Sequence, residues 1–171
     1  MDKQEIIVVD HAGELGAVEI YQGQIDAARL RGEDTTELEA MQEHEKRHLE
    51  YFEMLMRQGK IKPTPLIPLW KFAGRALGFV SGMLGKEARS QVTHSVETVI
   101  DGHYAEQIEW AKHNGEDDLA AFMEDFRRDE DEHRQAAERD LTDSGCMRVL
   151  GKTVELGSVA AIEITKKAKN G

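Results

Sequence analysis

A repeated residue pattern constrains the fold of this 171-residue chain more than any other feature of its sequence. In both copies a glutamate is followed seven, ten and eleven positions later by tyrosine, glutamine and isoleucine, and further on by a Glu-x-x-His. A single Glu-x-x-His is common, but the whole set in the same order is not expected by chance. The repeat therefore predicts two helical hairpins of one design in tandem. The first copy contains Glu14, Tyr21, Gln24, Ile25, Glu45 and His48, and the second contains Glu97, Tyr104, Gln107, Ile108, Glu130 and His133.

Breaks in the helical pattern occur at Gly32, between the prolines at 63 and 68, at Asn114-Gly115 and at Ser144-Gly145. Between the two hairpins, residues 66–85 carry only two charges in twenty positions. We predict an all-α fold with a four-helix bundle, an apolar crossover helix and an extra C-terminal helix. We expect it to form a single domain over 1–171. The helices of the bundle and the C-terminal helix are predicted over about 9–31, 35–58, 87–113, 116–142 and 145–168.

Helical periodicity places the repeated Glu and His residues on the apolar face of each bundle helix, because positions three and four apart share a face. A solvated polar face would have placed them on the opposite side. No Lys or Arg lies on these stripes. The four stripes are Glu14, Val18, Tyr21 and Ile25; Leu38, Met41, Glu45, His48, Phe52 and Leu55; Glu97, Ile100, Tyr104 and Ala111; and Leu119, Phe122 with Met123 beside it, Phe126, Glu130, His133 and Ala137.

If these stripes meet in one core, four carboxylates are buried together, and each desolvated charge costs several kcal/mol. They must then be protonated, paired with basic groups or neutralised by metal. Two divalent cations would balance the four glutamates. Two Glu and two Glu-x-x-His on four helices are the ligand set of carboxylate-bridged di-iron and di-manganese bundles, and oxygen and imidazole ligands suit Fe or Mn. The predicted metal ligands are Glu14, Glu45, His48, Glu97, Glu130 and His133.

These residues allow two other interpretations. His44, Glu45 and His48 match the His-Glu-x-x-His of zinc proteases. The second copy has Asp129 where the first has His44, and no third zinc ligand is implied, so we reject a protease and expect His44 at the surface. A metal-free structural bundle would require the core glutamates to be protonated. Asp129 could accept a hydrogen bond from the second ring nitrogen of His48, or it could be a surface aspartate.

The charge and cysteine content exclude several functions. The chain has 22 basic and 33 acidic residues, a net charge of −11, and this argues against nucleic-acid binding, which needs a basic surface. Cys146 is the only cysteine, so no intrachain disulfide can form, which fits a reducing compartment. The N-terminus lacks the pattern of a signal or transit peptide. We therefore expect a cytosolic protein or a processed one.

The apolar segment 66–85 is too interrupted to span a membrane. A spanning helix needs about 20 apolar residues, and Lys71 and Arg75 would each cost about 3 kcal/mol near its centre. We predict a helix that lies in the membrane interface. Trp70 and Phe79 would enter the lipid, and Lys71 and Arg75 would face anionic headgroups. The alternative is a buried crossover helix.

Several segments of the sequence closely resemble the demethoxyubiquinone hydroxylase family, in order from Ile6 through the C-terminal helix. The resemblance implies a ferritin-like fold and a peripheral inner-membrane enzyme of ubiquinone biosynthesis. This enzyme would hydroxylate the quinone ring with O₂ and reducing equivalents. The segments are DHAGELGAVEIYQGQI, EKRHLEYFEMLM, PTPLIPLW, GFVSGMLGKE, VETVIDGHYAEQI and RRDEDEHR.

The resemblance also implies cofactors, partners and a location. The cofactors would be two Fe ions, held by the six predicted ligands, with NADH as reductant. His103 and Tyr104 match a pair linked to electron entry from NADH, whereas Gly102 stands where a second histidine is expected. Partners would be a polyprenyl quinone, O₂, the membrane surface, and either a second copy of the chain or a ubiquinone-biosynthesis complex. The location would be the cytoplasmic face of a bacterial inner membrane or the matrix face of the mitochondrial one.

A ferritin-like iron-storage or peroxide-scavenging protein is the alternative function, because it shares the ligand set. Such a protein would need neither an apolar route for a quinone nor a membrane surface. The apolar segment 66–85 argues against it.

Overall fold

The structure, a computed structural model, describes residues 1–168, and these form helices and no strand. The predicted all-α class is confirmed. The predicted order of the helices in a ferritin-like bundle is also confirmed. Two helices are followed by an apolar crossover helix, two further helices and an extra C-terminal helix. The helices are α1 (Lys3–Leu30), α2 (Thr36–Gly59), α3 (Ile67–Leu84), α4 (Lys86–His113), α5 (Asp117–Glu138) and α6 (Gly145–Ala168).

Two helix ends differ from the prediction. α1 begins at Lys3 rather than near residue 9, because the Asp2 carboxylate accepts a hydrogen bond of 2.7 Å from the Glu5 backbone N–H and caps the helix. α5 ends at Glu138 rather than near residue 142. The backbone beyond it forms tight turn bonds, and Ser144 then caps α6 by accepting from the Met147 N–H at 3.1 Å.

The two hairpins turn in the same way. Gly32 after α1 and Gly115 after α4 have left-handed φ values of 70° and 72°, which glycine adopts without steric cost. The N–H of the following residue bonds back to the helix at 2.9 Å in both cases, from Glu33 to the Ala28 carbonyl and from Glu116 to the Ala111 carbonyl. The sequence repeat is thus reproduced in the backbone of both turns.

The chain divides into two compact units. The first unit comprises Asp2–Arg89 with residues 160–168, and in it α1 packs against both α2 and α3. The second comprises Ser90–Val159 with Met1. There, ion pairs of 2.6 Å from Lys112 to Glu124 and from Arg127 to Asp101 link α4 to α5. The expectation of a single domain over 1–171 stays a prediction.

Glycines allow α3 to lie directly on α1. A Cβ at Gly74 would lie 2.7 Å from the Gly16 carbonyl oxygen, and one at Gly82 would lie 2.6 Å from the Ala27 Cβ. A Cβ at Gly78, between them, would overlap the Ile20 carbonyl oxygen. The glycine side of α3 therefore faces α1, and the bulky apolar residues of α3 are turned away from it.

Candidate metal centre

The first unit contains a buried group of three predicted ligands, which we call the first triad: Glu14 on α1 with Glu45 and His48 on α2. All three residues are at most 4% exposed. The His48 Nδ1 lies 3.5 Å from a Glu14 carboxylate oxygen and 3.9 Å from one of Glu45. The spacing of three in Glu-x-x-His places both α2 side chains on the same face, toward Glu14 of α1.

The second unit contains an equivalent second triad, Glu97 on α4 with Glu130 and His133 on α5, and it is equally buried. The His133 Nδ1 lies 3.4 Å from a Glu130 carboxylate oxygen and 4.0 Å from one of Glu97. The repeat in sequence therefore corresponds to two triads of one composition and similar geometry.

The donors of each triad suit a metal ion. Within each triad, one ligand atom per residue lies within 4.8 Å of the other two. Two carboxylates and a neutral imidazole carry a charge of −2, which is costly to bury without compensation. A divalent cation balances this charge, and oxygen and imidazole donors without thiolate are the ligands of iron and manganese. The residues present thus fit a metal centre.

The apolar faces that carry the predicted ligands of α2 and α5 are those expected, with one correction. Phe52 and Phe126 are buried one turn from His48 and Glu130. Phe122, however, is 46% exposed, and Met123 is fully buried in its place. Both positions lie about 50° from the centre of the stripe, on opposite sides, so periodicity could not choose between them.

Comparison with known proteins identifies the family of this chain. Residues 2–165 match the model of the family described as Ubiquinone biosynthesis protein COQ7. The chain belongs to this family. A mitochondrial NADPH-dependent 3-demethoxyubiquinone 3-hydroxylase of Dictyostelium discoideum is 37% identical over 167 residues, 96% of this chain and 76% of that protein. The predicted membership of the demethoxyubiquinone hydroxylase family is confirmed.

Two further relatives of the COQ7 family are similar to this chain. The 3-demethoxyubiquinol 3-hydroxylase of Rhodospirillum rubrum is 36% identical over 162 residues, 93% of this chain and 75% of that protein. The mitochondrial NADPH-dependent 3-demethoxyubiquinone 3-hydroxylase of Homo sapiens is 35% identical over 166 residues, 95% of this chain and 76% of that protein.

The predicted electron-entry pair of this COQ7-family chain lies on α4. Tyr104 is buried, as is its counterpart Tyr21 in the first repeat. His103 is half-buried, and its ring Nε2 lies 2.9 Å from the Gln107 side-chain nitrogen. The proposed role of this pair stays a prediction.

Two other predicted positions lie near the ligands in sequence. Asp129 is half-buried, and its predicted hydrogen bond to His48 stays a prediction. His44 is also half-buried and thus partly exposed, and its expected surface position stays a prediction.

Sequence reasoning missed two buried polar residues of α1, Asp10 and His11. They precede Glu14 by four and three positions, so they share its helix face, and this spacing could have revealed them. Burial holds the pKa of His11 below its usual value, against the opposing effect of Glu53 and Glu14, while Lys71 lowers it further. His11 is therefore favoured as a neutral side chain one turn from the first triad.

The predicted membrane residues of α3 require corrections. Arg75 pairs with Glu19 at 3.2 Å and with Asp26 at 2.5 Å, both on α1, so it does not point away from the protein toward headgroups. The Trp70 indole N–H donates to the Thr165 hydroxyl of α6 at 3.1 Å, which ties this residue to the protein. Lys71 and Phe79 are exposed, as predicted.

The alternative of a buried crossover helix is wrong, because bulky apolar side chains of α3 are exposed. Phe72 is 74% exposed and Leu84 70% exposed. Within residues 1–168, no helix combines the length and apolar character needed to cross a bilayer. The exposed apolar side of α3 consists of Leu69, Phe72, Phe79, Val80, Met83 and Leu84.

Proposed function

We propose that the protein hydroxylates the ring of a demethoxyubiquinone that carries a polyprenyl tail, as an enzyme of ubiquinone biosynthesis. The observation that supports this most is the pair of buried Glu-Glu-His triads in a chain of the COQ7 family. One oxygen atom of O₂ replaces a ring hydrogen as a hydroxyl group. The other leaves as water, with two electrons and two protons from a reductant.

Two iron ions are the proposed cofactor, and when bound they supply the O₂ activation that no side chain provides. The six glutamates and histidines of the two triads would hold them, and the four carboxylates would match the four positive charges of two ferrous ions. Phe52, Met123 and Phe126 are buried apolar neighbours on the ligand helices, and they exclude water.

The proposed reductant is a reduced nicotinamide nucleotide. The resemblance suggested NADH, while the names of the Dictyostelium and human relatives specify NADPH. A comparison of turnover with each nucleotide at equal concentration distinguishes them. His103 and Tyr104 are the proposed entry point for the electrons. His103→Ala should then slow nucleotide-driven turnover more than turnover with dithionite, and equal losses would refute this role.

The proposed location is the membrane surface, with no crossing of the bilayer. The exposed apolar side of α3 supports this, because single-chain soluble proteins rarely expose contiguous apolar surface of this kind without a function. A polyprenyl tail resides in lipid, so docking there gives the quinone a path to the protein. The face would be cytoplasmic in a bacterium or the matrix side in mitochondria. Self-association or a biosynthetic complex is part of this proposal.

Metal content tests the ligand set. Glu45→Ala and His133→Ala should each lower bound iron well below two ions per chain, because loss of a ligand leaves the remaining buried carboxylates poorly compensated. Elemental analysis of the purified, folded variants measures this. The matched controls are Glu50→Ala, exposed on the same helix as Glu45, and His113→Ala, exposed at the end of α4. Two ions per chain in the Glu45 and His133 variants would contradict the proposed ligands.

The reaction itself is tested with iron-loaded protein, a demethoxyquinone analogue and ¹⁸O₂, followed by mass spectrometry of the quinone. The expected product carries one ¹⁸O atom on the ring. Consumption of O₂ or peroxide with iron oxidation and an unchanged quinone would favour the iron-storage or peroxide-scavenging alternative.

A further inference from the structure

Two equivalent glutamines of the repeat are buried, one in each unit. Gln24 follows Glu14 by ten positions on α1, and Gln107 follows Glu97 by ten positions on α4. Gln24 is 0% exposed and Gln107 1% exposed. A buried amide is costly unless it forms hydrogen bonds, so the side-chain partners of the two glutamines show what each contributes.

The two glutamines have partners of different kinds. The Gln24 side-chain nitrogen donates to the Arg89 backbone carbonyl at 3.4 Å. The Gln107 side-chain nitrogen lies 2.9 Å from Nε2 of His103, one helical turn earlier. In the first repeat, the position equivalent to His103 is Ile20, whose side chain cannot accept a hydrogen bond. The repeat thus diverges at the residue that Gln107 contacts.

This contact determines which ring nitrogen of His103 carries the proton. An amide nitrogen carries two N–H donors and has no acceptor capacity, so the ring Nε2 must accept this bond. A neutral imidazole with an accepting Nε2 carries its proton on Nδ1. We propose that Gln107 is a positioning residue that holds the His103 ring in one orientation and in the Nδ1–H tautomer.

The consequence for catalysis rests on the proposed function, in which His103 takes part in electron entry. Rotation of the ring would break the hydrogen bond to a buried amide, so the ring is held before the reductant arrives. Its proton is then on the ring nitrogen that Gln107 does not contact. Gln107 acts through His103, and no contact with substrate or metal is required of it.

The tautomer is measured directly by NMR. The full chain, labelled with ¹⁵N at its seven histidines and loaded with diamagnetic Zn²⁺, is examined by two-bond ¹H–¹⁵N correlation. The pH is set about two units above the usual imidazole pKa of about 6.5. The His103 signals are assigned by their loss in His103→Gln. We expect the Nδ1–H pattern in the parent protein, and an Nε2–H pattern there would overturn the proposal.

Variants of the two glutamines provide matched tests. Gln107→Glu preserves the shape of the side chain but replaces the donor with a carboxylate that only accepts, so His103 should change to a donating Nε2–H. Gln107→Leu should remove the preference for Nδ1–H. Gln24→Glu and Gln24→Leu should leave the His103 pattern as in the parent. An unchanged His103 pattern in both Gln107 variants would overturn the proposal, and Gln107→Glu alone decides if Gln107→Leu fails to fold.

Turnover of the iron-loaded enzyme separates this proposal from the proposed electron-entry role. Gln107→Leu should lower nucleotide-driven turnover by about tenfold, as expected for the loss of one hydrogen bond, and leave dithionite-driven turnover near that of the parent. Gln24→Leu should change both rates by the same factor. If the tautomer shifts while nucleotide-driven turnover stays at the parent rate, the positioning by Gln107 is supported and the electron-entry role of His103 is refuted.

Discussion

The close contact of α3 with α1 predicts that Gly78→Ala destabilises the first unit. A Cβ at Gly78 would overlap the Ile20 carbonyl oxygen and would lie 2.8 Å from the carbonyl carbon and 2.9 Å from the Cα of the same residue. Carbon atoms pack at about 3.5–4.0 Å. The carbonyl oxygen is nearer still, so the two helices must move apart by more than about 1 Å. Because the opposing atoms are backbone, no side-chain rotation can relieve the overlap.

Two opposing effects set the change in the free energy of unfolding that Gly78→Ala causes. Replacing a helical glycine with alanine gains about 1 kcal/mol of helix propensity. Overpacking of a tight interface costs about 1–3 kcal/mol or more, and the opposing Ile20 backbone places this case at the upper end. We expect a net loss of about 2 kcal/mol in the free energy of unfolding. That is a large part of the 5–15 kcal/mol typical of folded domains.

Urea unfolding followed by circular dichroism measures this difference, with equal slopes confirming that stability alone has changed. Gly102→Ala is the matched control, because Gly102 is also helical but a Cβ there would meet no atom within 4 Å. The control should be unchanged or more stable by up to about 1 kcal/mol. If Gly78→Ala is as stable as the parent, α3 does not pack on α1 through its glycines.

Two further predictions concern the surface. Hydrogen bonds from Arg31, and then from the buried Arg89, hold the pKa of Glu33 below its usual value. The ionised carboxylate therefore stabilises the fold above about pH 4.5, and this contribution to stability is lost as the pH falls. Glu33→Gln should therefore unfold at lower urea than the parent at about pH 7, with the difference shrinking toward about pH 3; a constant difference would contradict this. Phe72→Glu should weaken co-sedimentation with anionic liposomes severalfold. The control is Leu30→Glu, which changes an equally exposed residue of α1 and should leave the binding unchanged. Equal binding by both variants and the parent would exclude α3 as the membrane contact.

The ligand triads were predictable because they depend on local geometry. Glu45 and His48 share a face in any α-helix, and so do Glu130 and His133. The turn glycines at 32 and 115 were predictable for a similar reason, since a left-handed residue after a helix favours glycine. Such features require only that the chain be helical.

The orientation of α3 was not predictable in the same way. Its helical wheel shows a bulky apolar side and a side with glycines and Arg75, and either could face the protein. The wheel of α3 alone contains no information about Glu19 and Asp26, which pair with Arg75 from α1. The prediction that Arg75 faces headgroups was wrong because the partner charges lie in another helix. The orientation of a helix thus depends on long-range contacts that its own sequence does not encode.

The repeat extends to a third helix in each copy. The sequence pattern covers two helices, but a third helix follows each hairpin and packs on its first helix through glycine. Gly78 of α3 lies on α1, and a Cβ at Gly151 of α6 would lie 2.5 Å from the Gln91 amide nitrogen and 3.0 Å from the Ser95 hydroxyl oxygen of α4. Both third helices expose bulky apolar residues, Val149, Leu156, Val159 and Ile164 in α6. The repeating unit is therefore three helices. Glycines that face a neighbouring helix and exposed apolar side chains occur in both third helices. We therefore expect α6 to contribute, together with α3, to the proposed membrane binding.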